Sequence, residues 1–380
     1  MLTQNQTAIR ASCTGGLRYV VLSALMLWAG APEAIDYRDV LFPQPIKSAP
    51  PTAAQPGTHQ RGIAGRKPSR QSPAKTKQAT ALTRADTSSG QYRRISKPGD
   101  RDHVIGQDVL ETALRTSTLL DIGRHYGVGY EEISLANQKL DMWMTGAGKQ
   151  VIVPVRTILP DTPRKGIVIN LSERRLYYFP RTAPNSPAAI KSFAVTVGDP
   201  STPTPLGEGR VLRRLLTPTW YPTRALRQYL KRRGDELPNS VGPGPDNPLG
   251  AYALELSIPL GGPDRMMIHS TNKPWGIGMA VDLEGRLPMF PEGMEQLFEM
   301  ASVGTPVRIV DQPVKMAWHG NELLLEIHPG ERLNRSSLAD LAEKLYQDNT
   351  KGLAVARDSK VMQSELANPT GVVRTIAKLQ

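Results

Sequence analysis

A histidine followed directly by a serine is the part of this 380-residue chain whose residue types can support nucleophilic chemistry. His269 and Ser270 follow an apolar stretch that begins at Met266, and a serine beside a histidine is a known nucleophile arrangement. Successive side chains of a strand point to opposite faces, so we expect these two side chains to diverge. A serine nucleophile at Ser270 is therefore an alternative and not our main hypothesis.

Other residues with acid–base or metal-binding side chains give weaker patterns. Asp282 and Glu284 could act as the general acid and base of glycan cleavage. Two acidic residues in a glycine-containing loop are more often solvated turn residues, so we do not assign them this role. The remaining histidines lack metal-ligand spacing, which predicts neither a metal site nor a cofactor: His59, His103, His125, His319 and His328.

The N-terminal region contains the single cysteine, Cys13. It precedes an apolar run, Tyr19 to Trp28, with Arg10 and Arg18 before it and small residues after it. This order predicts a secretory signal over residues 1–34, because the run is shorter than the roughly 20 residues of a membrane-spanning helix. An uncleaved anchor or a buried helix is the alternative. We expect an exported protein of the periplasm or cell envelope, whose processed chain has no thiol for a disulfide, a zinc site or a nucleophile.

The net charge of +12 is concentrated in a region of low hydrophobicity. Much of it lies between Lys47 and Lys97, among Pro, Ser, Thr, Ala and Gln, and this composition cannot bury a core. We therefore predict a disordered basic linker over residues 35–102, attracted to anionic wall polymers or lipid headgroups. Nucleic acid is not an expected partner, because an exported protein rarely meets it.

Residues 107–156 show the pattern strand, helix, helix, strand. Leu119, Ile122 and Tyr126 recur at helical spacing, a second amphipathic segment runs from Tyr130 to Asn137, and Gln150 to Pro154 closes the unit. This βααβ pattern resembles a LysM module, a small domain that binds glycans containing N-acetylglucosamine.

The resemblance to LysM modules implies glycan contacts from Thr118, Leu119 and Asn137. The loop reads Thr-Ser-Thr-Leu over residues 116–119, where these modules commonly have Gly-Asp-Thr-Leu, and Gln138 replaces a common proline. A module with only a structural role is the alternative.

From Gly166 onward the hydrophobic pattern changes to period two, which predicts a β-dominated domain over residues 166–312. A C-terminal strand and a helical tail follow over residues 313–380, with a serine cap before the helix. The strands are predicted at Ile167–Leu171, Arg175–Phe179, Ser192–Gly198, Ala251–Ile258, Met266–His269, Pro306–Val310 and Leu323–Ile327, and the helices at Pro291–Met300 and Ser336–Asp348.

Five stretches of the β-dominated region together resemble the L,D-transpeptidase catalytic domain of the YkuD type, ErfK/YbiS-like. The resemblance implies an α+β chain in which a small βααβ domain precedes a β-dominated sandwich with a C-terminal helical extension. The five stretches are Thr204–Gly207, Pro218–Pro222, Gly242–Gly250, Ile268–Gly278 and Val303–Val310.

In this family a cysteine thiolate attacks the carbonyl of the third residue of a tetrapeptide stem and expels the terminal D-alanine, and an amine then takes the acyl group. The resemblance implies that His269 is the base, with Ser270 beside it. It also implies substrate contacts from six residues: Trp220, Tyr221, Thr271, Asn272, Trp275 and Arg286.

The family's nucleophile motif, Ser-His-Gly-Cys-x-Arg, has no counterpart in this chain. Between Val281 and Pro291 the sequence reads VDLEGRLPMFP, and no placement yields a cysteine. We therefore expect a non-catalytic family member that binds peptidoglycan stem peptides and glycan strands, with active wall enzymes or an envelope protein as further partners. The alternatives are acyl transfer or hydrolysis by another residue such as Ser270, a docking surface for a protein, and local decay of the gene.

Overall fold

The structure, a computed structural model, describes residues 99, 101–181, 189–232, 234, 236–260, 265–281, 285–330 and 332–380. The predicted signal and nearly all of the predicted linker lie outside the described residues, as do Asp282 and Glu284. Within the described ranges, no helix is both long enough and apolar enough to cross a membrane.

Strands and helices are numbered in chain order. The strands are β1 (Val104–Ile105), β2 (Val109–Thr112), β3 (Gln150–Val153), β4 (Thr157–Ile158), β5 (Gly166–Asn170), β6 (Arg175–Phe179), β7 (Lys191–Ala194), β8 (Val197–Gly198), β9 (Gly207–Leu216), β10 (Tyr252–Pro259), β11 (Arg265–His269), β12 (Ala280–Val281), β13 (Arg286–Pro288), β14 (Pro306–Val310), β15 (Val314–His319), β16 (Glu322–Ile327), β17 (Val355–Arg357) and β18 (Arg374–Leu379). The helices are α1 (Leu119–His125), α2 (Tyr130–Ala136), α3 (Arg224–Arg232), α4 (Pro291–Met300), α5 (Arg335–Thr350) and α6 (Ser359–Ala367).

The first unit is the predicted βααβ module. Strands β2 and β3 pair antiparallel, and α1 and α2 pack on them around Leu119 and Ile133. Helix α1 begins where Thr118 and Asp121 exchange hydrogen bonds in a capping box, which satisfies backbone donors of the first turn. The predicted strand and helix order of this unit is thus present.

The second unit is built on one mixed sheet of eight strands in the order β13-β11-β10-β9-β14-β5-β6-β7. Its pairs are antiparallel except β11–β13 and β14–β5. A bridge between Val195 and Met289 joins the chain just beyond β7 to the chain just beyond β13, so the sheet curls until its two edges meet. The predicted sandwich therefore takes the form of a single curled sheet around one core, and α4 contributes Met294 and Leu297 to that core.

The predicted strand Ser192–Gly198 is divided in the structure. Its first part, β7, pairs with β6, whereas β8 leaves the sheet and pairs in parallel with β12. The change occurs at Thr196, whose hydroxyl donates to the Gly276 carbonyl and accepts from the Gly278 amide, both at 3.1 Å. A pattern of apolar residues cannot reveal this change of partner, because both segments are buried.

The C-terminal region contains more regular structure than predicted. Strands β15, β16, β18 and β17 form a four-stranded sheet in that order, and α5 and α6 pack on it around Trp318 and Leu338. The predicted serine cap of the helix is wrong: Asn334 caps α5 by accepting from the Ser337 amide at 2.9 Å.

Candidate functional site

His269 lies at the end of β11, in a buried position between two strands. Its partners in register are Ala253 on β10 and Pro288 on β13, and its side chain is 4% exposed. Nδ1 lies 2.5 Å from the carbonyl oxygen of Ser270, so this nitrogen donates its proton there. Nε2 is then the proton acceptor, and it has no hydrogen-bond partner among the described residues.

The protonation state of His269 follows from this burial. Loss of solvent lowers its pKa to about 3, the Ser270 carbonyl opposes the shift, and the positive charge of Arg286 adds to it. The imidazole is therefore neutral at neutral pH, with a free electron pair on Nε2. This is the state that a general base requires.

The hydroxyl of Ser270 is directed to the backbone and not to this histidine. Its Oγ accepts from the Tyr252 amide at 3.0 Å and donates to the Tyr252 carbonyl at 3.2 Å. The residue is buried, and Gly250 leaves no space on its other side, since a Cβ at that position would lie 2.8 Å from Oγ. Ser270 thus holds two strands together, and the sequence-based expectation that the two side chains diverge agrees with this geometry.

Arg286 lies on the face of the sheet that carries His269. In the parallel pair β11–β13, Met267 is opposite Arg286 and His269 is opposite Pro288. Alternate residues of a strand share a face, so the side chains of Arg286 and His269 are diagonal neighbours. The guanidinium acts on the histidine pKa from this position.

Gly285, which begins the return into β13, does not readily accept a side chain. Its φ of +81° is a conformation that other residues rarely adopt. A Cβ there would also lie 2.1 Å from a methyl carbon of Leu260, so that side chain would have to move. A cysteine at position 285 would therefore need a rearranged loop.

The residues after Ser270 shape a loop. The Thr271 hydroxyl accepts a hydrogen bond from the Lys273 amide at 3.0 Å, and the Asn272 side chain donates one to the Pro245 carbonyl at 3.1 Å. The Asn272 side-chain oxygen is buried and has no hydrogen-bond partner in the part of the chain that is described. Burial lowers the pKa of Lys273 to about 8. Two of the predicted substrate contacts, Thr271 and Asn272, are thus close to His269 in the chain and partly buried.

The three predicted aromatic contacts differ in their positions. Trp220 is buried and forms a strand bridge with Val241 inside the segment that joins β9 to β10. Tyr221 and Trp275 are exposed, at 68% and 42%. Trp220 thus stabilises this segment, whereas the other two offer free aromatic surface, and their contact with a substrate stays a prediction.

Sequence comparisons with known proteins identify the family of this chain. The family model of the L,D-transpeptidase catalytic domain matches residues 164–309. The "Probable L,D-transpeptidase ErfK/SrfK" of Escherichia coli K12 is 35% identical over 243 residues, which are 63% of this chain and 75% of that protein. This chain belongs to the L,D-transpeptidase family.

Two further similarities accompany that result. The "Probable L,D-transpeptidase YcfS" of the same organism is 36% identical over 208 residues, 54% of this chain and 63% of the relative. The NMR structure of the catalytic domain from an E. faecium L,D-transpeptidase aligns with 40% of this chain and 99% of its own, at 21% identity and a TM-score of 0.27. The family assignment therefore rests on the sequence relatives.

The βααβ module contacts the L,D-transpeptidase domain before and after Val281–Pro291, the segment in which the family has its nucleophile motif and this chain does not. Before it, the Tyr130 amide donates to the Ile277 carbonyl at 2.7 Å, and a Cβ at Gly278 would lie 2.6 Å from the Gly129 backbone. After it, Arg124 donates to both carboxylate oxygens of Glu292, at 2.9 and 3.2 Å.

This interface also contains a buried ion pair. Arg175 on β6 donates to Glu132 on α2 at 2.8 Å. Sequence reasoning missed the contact. The feature of the sequence that points to this contact is the acidic pair Glu131-Glu132 in an otherwise amphipathic helix.

The predicted glycan-binding residues of the module have internal roles in this structure. Leu119 is buried in the core, Asn137 donates to the Ile133 and Ile152 carbonyls at 2.8 and 2.7 Å, and Thr118 caps α1. Large apolar side chains are instead exposed on two loops of the module, one before α1 and one after α2, and the Leu119 amide at the start of α1 donates to the Met142 carbonyl of the second loop. They are Leu114, Trp143 and Met144, which we call the loop patch.

A cluster of buried charges links the L,D-transpeptidase domain to the C-terminal sheet. Glu173, Glu326 and His328 have ligand atoms close enough together to hold a metal ion. Lys315 already supplies a cation there, with Nζ 2.5 Å from Glu173 and 2.9 Å from Glu326. The ammonium occupies the position that a metal ion would need, so we assign the cluster to the joint between the two units.

Proposed function

We propose that this protein is a non-catalytic member of the L,D-transpeptidase family that binds peptidoglycan. The observation that carries the proposal is that the residue at the position of the family's base and a neighbouring arginine are both present, although the cysteine is absent. His269 keeps a neutral imidazole whose Nε2 has no hydrogen-bond partner among the described residues, while Arg286 is its neighbour on the same face. The chain contains no cysteine after Cys13, and acyl transfer of the family type needs a thiolate.

The retained surroundings of His269 favour binding over loss of function. Arg286 and Lys273 bring positive charge to the site, and the carboxylates of peptidoglycan stem peptides are its natural complement. Nε2 of His269 and the amide oxygen of Asn272 are both acceptors without partners in the described structure. Buried acceptors are costly when unpaired, so N–H donors of a peptide that reach these two atoms would add to its affinity.

The loop patch supports a second contact, with glycan strands. Trp143 is 62% exposed and lies beside the exposed Met144. An indole offers a flat apolar face with a polar edge, which suits the apolar face of a pyranose ring. The glycan-binding role that the LysM resemblance implies is thus better assigned to the loop patch than to Leu119 or Asn137.

Location in the cell envelope completes the proposal. It is supported by the order of basic, apolar and small residues over 1–34 and by the positive charge between Lys47 and Lys97. Active wall enzymes or another envelope protein are the further partners that a non-catalytic binder would serve.

Sedimentation with purified peptidoglycan sacculi tests binding. We expect the protein to pellet with sacculi and the Trp143→Ala variant to pellet several-fold less. Leu216→Ala is the matched control, because Leu216 is also 62% exposed but lies on β9, outside the module. Equal loss in both variants, or no pelleting of the unaltered protein, contradicts the proposed glycan contact.

Incubation with a disaccharide tetrapeptide tests the absence of catalysis. We expect neither cross-linked products nor exchange of the terminal D-amino acid. Products that disappear in Ser270→Ala would establish the alternative, an enzyme that uses the serine. Capture of an envelope protein that survives muramidase digestion would instead favour a protein-docking role.

A further inference from the structure

A cavity of about 410 Å³ lies where the loop after β8 meets the beginning of the C-terminal unit. One wall is apolar and is formed by Leu171, Val197 and three prolines at 200, 203 and 205. Asp311 and Arg332 form the polar edge, together with Ser172. None of these residues belongs to the site around His269, and the volume lies in the range of small-molecule sites, roughly 300–1,000 Å³.

The two charged side chains at this edge are only partly used by the protein. Ser172 donates its hydroxyl to one carboxylate oxygen of Asp311. The other oxygen forms a long ion pair with Arg332, 3.6 Å from its Nε, which leaves both groups able to accept a closer hydrogen-bonding partner. Arg332 donates one N–H to the Thr204 carbonyl at 2.8 Å. Within the described residues, one carboxylate oxygen and most of the guanidinium donors therefore remain available to a ligand.

We propose that this cavity binds a free α-amino acid with a small apolar side chain. The ammonium group of the ligand would pair with Asp311, and its carboxylate would pair with Arg332. An α-amino acid carries these two charges one carbon apart, which matches a carboxylate and a guanidinium that lie side by side. The proline wall then accepts the side chain.

The neighbouring opposite charges select against ligands of one charge. A simple carboxylate would meet the negative charge of Asp311, and a simple amine would meet the positive charge of Arg332. Only a ligand with both groups complements both side chains at once. This site is independent of the proposed peptidoglycan binding, because it uses other residues and another ligand.

Calorimetry and thermal unfolding of the whole protein with alanine, valine and leucine, each as L and D forms, test the proposal. We expect saturable binding of at least one of them and a rise of the unfolding temperature with its concentration. The N-acetyl derivative lacks the ammonium charge and the amino acid amide lacks the carboxylate. Each should bind the protein at least tenfold more weakly than the parent amino acid, because each loses one charge-assisted contact.

Variants assign the binding to this cavity. Asp311→Asn and Arg332→Gln should each weaken binding at least tenfold. Arg308→Gln, which alters a nearby arginine paired with Glu208 outside the cavity, should leave binding unchanged. Circular dichroism spectra and unfolding temperatures without ligand check that the variants fold. The analogue series on the unaltered protein remains decisive if a variant does not fold.

Three results overturn the proposal: no saturable binding of any of the amino acids, equal binding of the N-acetyl derivative, or unchanged binding in both cavity variants.

Discussion

Replacement of Lys315 by methionine should destabilise the protein strongly, because this side chain is the buried cation that holds the Glu326 carboxylate ionised, whereas burial raises the pKa of its other partner, Glu173. Nζ lies 2.5 Å from Glu173 and 2.9 Å from Glu326, and all three side chains are at most 2% exposed. Methionine is nearly as long, and it removes both the charge and the N–H donors that bond to Glu173 and Thr157. Loss of one partner from a buried ion pair costs about 3–5 kcal/mol, since the remaining charge stays buried and unpaired.

That cost is a large part of the total stability of a typical protein, which is about 5–15 kcal/mol. At about 2–4 °C per kcal/mol for a unit of this size, we expect the unfolding temperature to fall by roughly 6–20 °C. The assay is thermal and urea unfolding followed by circular dichroism. Lys378→Met is the matched control: Lys378 pairs with Glu322 at 2.8 Å on the surface, so we expect a change below about 1 kcal/mol.

The pH dependence of the free energy of unfolding tests the same prediction in a second way. Burial alone would raise the pKa of Glu326, but Lys315 and the hydrogen bond from His328 hold it at about 2. In the unaltered protein this carboxylate therefore stabilises the fold above pH 4.5, and the contribution is lost as pH falls toward 2. Without Lys315 burial raises the pKa of Glu326 in the folded state, so the loss of stability is largest at neutral pH and shrinks on acidification.

A Lys315→Met protein within 1 kcal/mol of the unaltered one would refute this reasoning. So would equal destabilisation at pH 7 and pH 5. Addition of Glu173→Gln and Glu326→Gln to the methionine variant should recover part of the stability, because no carboxyl group is then left buried without its cation.

Three further outcomes follow from the site and the module. Gly278→Ala should lower the free energy of unfolding by about 2–3 kcal/mol and speed hydrogen exchange at the module interface, because the new Cβ would lie 2.6 Å from the Gly129 backbone. Gly304→Ala is the control: its φ is similar but its surroundings are open, so it should cost only about 1 kcal/mol. The unaltered protein should lose stability, on the order of 4 kcal/mol, as pH falls from 6.5 to about 3, because the unfolded chain then binds a proton that the buried His269 does not. The His269→Gln variant should not show this loss. An unchanged pH profile of the variant in urea unfolding would contradict the buried neutral histidine. A variant that carries the family's Ser-His-Gly-Cys motif within Val281–Gly293 should form cross-linked products that the natural chain does not form. If this variant binds sacculi but forms no products, more than the nucleophile is missing.

Local patterns were sufficient to predict most elements around the site. The hairpin of β5 and β6, the strand that ends at His269 and the helix that begins at Pro291 all occur close to their predicted bounds. Each combines a clear period with a turn or proline signal, so the chain itself encodes its bounds.

Features that depend on distant partners could not be predicted from the sequence. The diversion of β8 toward β12 depends on Thr196 meeting backbone groups at Gly276 and Gly278. The position of Arg286 beside His269 depends on a parallel pair that joins segments of different loops. Spacing along the chain carries no information about such contacts, because tertiary packing decides them.

The C-terminal sheet has a consequence for the order in which the protein acquires its structure. Strand β18 lies between β16 and β17, and among the described strands β17 pairs with β18 alone. Residues 355–357 therefore cannot join the sheet until residues 374–379 have been synthesised and, in an exported chain, have crossed the membrane. Until then β16 presents an unpaired edge, which is the kind of edge that pairs with other chains during folding.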